Sequence, residues 1–172
     1  MHFRNILEPV KTLLIVYHSM TGGTEQMASA AAQGAALEAS VLVKALRAVD
    51  AGPDDVLLAD GYIFATPENL ASMSGLVKDF FDRCYYPVLE RINGRPYAAL
   101  VCAGSDGQNA VRQIERIATG WRLKAIAAPL IVCTHAQTPE AILSPKQIDA
   151  SELDKCREIG GAMAAGLAMG VF

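Results

Sequence analysis

Short apolar runs, separated by longer stretches of mixed character, set the rhythm of this chain. The runs occupy residues 12–17, 41–46, 61–65 and 97–103, with a less tidy one inside 123–133. Each is continuous rather than alternating, as in a strand covered on both faces. Between them, apolar positions recur at helical spacing. Residues 74–89 put Leu76, Val77, Phe80, Phe81 and Cys84 on one stripe, with Lys78, Asp79, Asp82 and Arg83 opposite. Residues 108–119 repeat this with Val111, Ile114, Ile117 and Ala118. The alanine-rich stretch 23–38 predicts another helix, and a short turn is expected near 54–58. Ser151 reads as the N-cap of a last helix using Leu153, Cys156, Met163 and Leu167. The stretch "THAQTPEAILSPKQIDA" before it is expected to be an irregular surface excursion.

Five strands interleaved with helices predict an α/β fold, a parallel sheet with helices on both faces. With no repeat or linker to divide it, residues 11–172 are expected to form one domain behind an N-terminal leader, 1–10. Hydrophobic residues make up 52% of the 172 and charged residues 19%, which places the chain among globular proteins. The net charge of -3 comes without a run of one sign, so no nucleic-acid-binding surface is expected. Cys84, Cys102, Cys133 and Cys156 form no C-x-x-C pair, and no metal site is read from them. Cys102 and Cys133 sit in apolar runs, as buried thiols do. This usage fits a reducing, cytoplasmic setting. The apolar C-terminal stretch 159–172 is too short to span a bilayer, so no membrane insertion is expected.

In such a sheet the ligand crevice lies at the carboxyl ends of the strands. Three loops leaving those ends carry the candidate chemistry: "HSMTGGT", "TPENLASMS" and "AGSDGQN". In the first, Ser19, Thr21 and Thr24 supply three hydroxyls, and Gly22 and Gly23 allow a tight turn into a helix. A nucleotide-triphosphate loop needs a lysine to reach the phosphates, and none occurs between Lys11 and Lys44. The G-x-G-x-x-G of dinucleotide folds is absent too. What remains is a hydroxyl-lined, cation-free loop at a helix N-terminus, suited to a phosphate monoester held by amides, hydroxyls and the helix dipole.

The pattern I15-V16-Y17-x-S19-x-x-G22-x-T24-x-x-x-A28 resembles the phosphate loop of the flavodoxins. "ADGYIFATPENLASMSGLVKDFFDR" and "ASELDKCREIGGAMAAGLAMG" resemble segments of their relatives, the tryptophan-repressor-binding-protein type of NAD(P)H:quinone oxidoreductase and the NADPH-dependent FMN reductases. The resemblance implies a flavodoxin-like three-layer sandwich with a five-stranded parallel sheet in the order 2-1-3-4-5. It also implies FMN as cofactor. Ser19, Thr21, Gly22, Gly23 and Thr24 would hold its phosphate. Pro67, Glu68, Asn69, Leu70 and Ala71 would run along the ring, and Ala103, Gly104, Ser105, Asp106 and Gly107 would close its other edge. Asp106 is alternatively placed to cap the helix beginning near Gln108. Neither flavin loop contains the aromatic that flavodoxins usually stack on the ring, and the excursion after the fifth strand is shorter than in the quinone reductases.

The resemblance implies electron flow from NAD(P)H through FMN to a quinone-like acceptor. The alternative is a flavodoxin-type carrier serving a redox protein. His135 is the weak candidate for orienting or protonating an acceptor, against a bland role as a loop hydrogen-bonder. His18, at the free position of the phosphate loop, reads as solvated, and Trp121 as a packing anchor. Between Gln26 and Leu37 the first helix carries no charge. Burial and a homo-oligomer interface explain that equally well.

Overall fold

The computed structural model describes residues 10–172; the expected leader, 1–10, falls outside them except for an exposed Val10. In chain order the elements are β1 (Lys11–Tyr17), α1 (Gly23–Ala35), β2 (Val41–Arg47), α2 (Pro53–Leu58), β3 (Gly61–Asn69) and β4 (Ser72–Met73). Then come α3 (Gly75–Val88), β5 (Pro96–Ala103), α4 (Gln108–Gly120), β6 (Lys124–Ala125), β7 (Leu130–Cys133), α5 (Pro139–Leu143) and α6 (Ala150–Met169).

β2, β1, β3 and β5 lie side by side and parallel, and β6 and β7 both pair with β5 at the far edge. Taken together, β6 and β7 are one interrupted strand, and the order is the expected 2-1-3-4-5. The gap at 126–129 contains Pro129, which has no N–H for the ladder, and this accounts for the untidy fifth run. β4 is an addition that the apolar pattern does not predict. It folds back antiparallel on the end of β3, pairing Glu68 with Met73 and Asn69 with Ser72.

The two faces of the sheet are packed differently. On one, Phe64 meets Phe80, Phe81, Tyr97 and Trp121 in a cluster of aromatic rings under α3 and α4. Trp121 is fully buried and its indole N–H donates to the Tyr85 carbonyl at 3.1 Å, the anchoring role expected of it. On the other face α1 and α6 pack on Leu13, Ile15, Ile63 and Leu100 mainly through small residues. Here the helices nearly touch: a Cβ on Gly34 would collide with the Arg157 carbonyl, and one on Gly160 with that of Ala31. α6 thus covers much of the stretch 26–35, which carries no charge. Only Glu25, Ser29 and Gln33 remain exposed along α1.

Two local expectations need correcting. Asp149, not Ser151, is the N-cap of α6, so Ser151 lies inside the helix. Leu76, the second residue of α3, is exposed, while Val77, Phe80, Phe81 and Cys84 are buried. Among the described residues no helix is long and apolar enough to cross a membrane.

Candidate functional site

All three candidate loops converge at the carboxyl ends of β1, β3 and β5 around one cavity of about 80 Å³. Nine of the predicted residues line it: Ser19, Thr21, Gly23 and Thr24 from the first loop, Pro67, Glu68 and Asn69 from the second, Ala103 and Gly104 from the third. The cavity is large enough to admit a phosphate group, since one water needs only about 10–15 Å³ of such space.

The first loop turns tightly into the N-terminus of α1. Gly22, at φ 92°, is the N-cap of α1, a left-handed conformation that an L side chain would strain. Its N–H donates to Ser19 Oγ at 3.1 Å, and its carbonyl receives the first helical bond, from Gln26 N. No side chain caps α1, so the amides of Gly23, Thr24 and Glu25 have no helical or capping partner. Beside them Thr24 is 1% exposed, and its hydroxyl oxygen is buried without a hydrogen-bond partner. A buried, unpaired hydroxyl costs on the order of 1–3 kcal/mol. At a helix N-terminus an anion accepting its proton would recover that cost.

The excursion between β7 and α6 is not merely surface. Lys146 N–H donates to the Thr21 carbonyl at 2.8 Å. The Gln26 side chain reaches across to the same segment, donating to the Lys146 carbonyl at 2.8 Å and accepting from Ile148 N–H at 3.1 Å. Ala136, Ile142 and Lys146 thus join the cavity wall, as do Met20, Cys102 and Thr134. No local pattern points to Lys146, since the bonds that tie its segment to the loop span 120 positions or more. The first loop itself carries no cation; the lysine of the wall comes from this distant segment. Lys146 stands in the wall, although its ammonium donates to the carbonyls of Ala141, Ile142 and Ser144 at 2.6–2.8 Å, around the C-terminus of α5.

Beneath the loop, Cys102 packs so closely that a Cβ on Gly23 would lie 2.6 Å from its sulfur. Burial pushes this thiol up to about 11, with only partial relief from Lys146, so it is an inert filler rather than a nucleophile. All four cysteines are free.

The remaining predicted residues lie at the periphery. Gly22 serves as the cap described above. Leu70 is fully exposed and Ala71 exposed; with φ of 50° and 59° they form the tight turn between β3 and β4. Ser105 and Asp106 are exposed, and Asp106 Oδ1 accepts from Gln108 N–H at 3.3 Å, at the start of α4. The N-cap itself is Gly107, at φ 86°. Two histidines depart from expectation. His135 is exposed and lines the neighbouring groove with Pro145, Gln147 and Glu152, not the cavity, because its backbone is drawn to Gly104 at φ 58°. His18 is not simply solvated: its Nδ1 is buried without a partner, and burial holds the imidazole below its ordinary value.

The family model for NADPH-dependent FMN reductase matches residues 47–138, just over half of the chain. The chain belongs to that family. The matched stretch takes in the loops after β3 and β5 and begins after the loop that precedes α1. A NAD(P)H dehydrogenase (quinone) of Acidithiobacillus ferrooxidans is 34% identical over an aligned part covering 41% of this chain and 46% of that protein. A flavodoxin of Aquifex aeolicus is 32% identical, over 55% of this chain and 51% of that one. The chain thus spans about half the length of the curated relatives it matches. Among solved structures, a flavodoxin from the domain Archaea superposes with a TM-score of 0.74 at 18% identity, covering 91% of this chain and 99% of that one. A WrbA-like protein from Agrobacterium tumefaciens gives 0.67 at 21% identity, covering 92% and 98%. The fold of this FMN reductase family member is flavodoxin-like.

Proposed function

We propose that the chain is an FMN-binding oxidoreductase passing electrons from NAD(P)H to a quinone-like acceptor. The observation that carries this is the buried, unpaired hydroxyl of Thr24 beside the free first-turn amides of α1. Ser19, Thr21, Gly22, Gly23 and Thr24 would hold the phosphate, with Lys146 adding positive charge from the wall. Pro67, Glu68, Asn69, Leu70 and Ala71 on one side and Ala103, Gly104, Ser105, Asp106 and Gly107 on the other would frame the ring. When bound, the flavin supplies the hydride and electron chemistry. The chain's own part is to bind, orient and shield. Small residues in the third loop let the backbone come close, and Met20, Pro67 and Ile142 offer apolar surface where the stacking aromatic of flavodoxins is missing. With His135 outside the cavity, no side chain in it is assigned a proton-transfer role.

The related quinone dehydrogenase and the family favour the enzyme; the related flavodoxin favours a second reading, an electron carrier for a redox protein. Residues 11–172 acting as a single cytoplasmic domain fit both, and neither needs nucleic acid or membrane insertion. Titrating the protein into FMN and then adding NAD(P)H with a soluble quinone separates the readings. Quenched flavin fluorescence with quinone-dependent NAD(P)H oxidation is expected; quenching without turnover would point to the carrier. Unquenched flavin at saturating protein would end both.

A further inference from the structure

We infer that Glu68 is a positioning residue: its carboxylate binds the N-terminus of α4 and thereby locks the two ring-side loops into one body. This rests on the flavin reading above for its consequence but not for its geometry. Gly107 N–H donates to Glu68 Oε1 at 2.9 Å, and Ala110 N–H to Oε2 at 3.3 Å. Gly107, as N-cap, has no side chain to cap with, so a carboxylate borrowed from the other loop does the work of a cap box.

The same two segments are stitched twice more, farther along. Asn109 donates from its amide to the Ala71 carbonyl at 2.5 Å. Gln113 Oε1 accepts from Met73 N–H at 2.8 Å and from Ser72 Oγ at 3.0 Å. All of these contacts join the β3–β4 hairpin to the first two turns of α4. The hairpin's turn, Leu70 and Ala71, is in a left-handed conformation unfavourable to both residues, so the stitches hold a strained segment in place. With its charge engaged by α4 amides, Glu68 is committed to geometry, and the loops it joins meet FMN as a preformed slot.

Glu68→Gln keeps the side chain's size but offers an amide where two acceptors are needed. Three readouts separate positioning from general loosening: hydrogen exchange of the Gly107 and Ala110 amides without flavin, affinity for FMN and riboflavin, and the response of the Gly23 and Thr24 amides to inorganic phosphate. The expected result is faster exchange at Gly107 and Ala110, with FMN and riboflavin each bound about tenfold more weakly and the phosphate response unchanged. Flavin affinities within twofold of the parent would overturn the inference, as would a phosphate response that weakens in step. Should Glu68→Gln fail to fold, Gln113→Ala cuts the stitch from the other end, and a loss of riboflavin affinity with phosphate binding intact is expected of it. If the unmutated chain binds no flavin, the functional reading falls, and the exchange comparison alone decides whether Glu68 holds α4.

Discussion

At Thr24 the chain leaves a hydroxyl buried and unsatisfied at the place where a helix offers its free amides. A bond from that hydroxyl to a phosphate oxygen is charge-assisted, worth roughly 1.5–3 kcal/mol. Replacing Ser19 and Thr24 together by alanine should therefore weaken FMN about tenfold to a hundredfold while leaving riboflavin binding nearly unchanged, as read by fluorescence titration. Equal losses for both ligands would place the phosphate elsewhere. His18 makes a separate claim. Because burial holds its imidazole below the ordinary 6.5, the unfolded chain takes up a proton before the folded one as pH falls. Its contribution is whole above pH 6.5 and is lost as pH drops through the lower, folded value. Melting temperature should fall between pH 7 and pH 5, and His18→Gln should flatten that slope; superimposable profiles would refute it.

At the scale of elements, the strongest oddity is the hairpin between β3 and β4. A two-residue turn with both φ positive ordinarily calls for Asn-Gly, yet Leu70 and Ala71 occupy it, with Leu70 wholly exposed. Leu70→Asn with Ala71→Gly should stabilise the protein by about 1–2 kcal/mol, measured by urea unfolding, since the cost of αL for an L residue is of that order. A destabilised double variant would mean that Leu70 makes contacts beyond those of a turn. This hairpin also marks where the sequence stops being legible. The four long strands, α1, α3 and α4 follow from apolar runs and helical stripes, because each buries a face whose period is local. β4 is two residues long and exists through Glu68, Asn109 and Gln113, which are contacts at a distance. The N-cap of α6 is ambiguous in the sequence for a related reason: Asp149 and Ser151 are both acceptable cap residues, and only the path of the incoming chain decides for Asp149.

For the molecule as a whole, the hydroxyl-rich wall of the cavity is legible because Ser19, Thr21 and Thr24 are close in sequence, whereas the other wall is not. Lys146 and Ile148 reach the loop through Gln26, across about two-thirds of the chain. Binding at a site tied into three loops and the excursion should stabilise the entire fold. At FMN a hundredfold above its dissociation constant the gain is about 2.7 kcal/mol, which for a chain of this size raises the melting temperature by roughly 5–10 °C. An unmoved transition at that occupancy would mean that flavin binds folded and unfolded chains alike. The most direct test is a crystal structure of the protein with FMN. The phosphate should lie within hydrogen-bonding distance of Thr24 Oγ1 and of the Gly23, Thr24 and Glu25 amides, with the ring between Pro67–Ala71 and Ala103–Gly107. A phosphate bound away from the start of α1, with the Thr24 hydroxyl still unpartnered, would contradict the account.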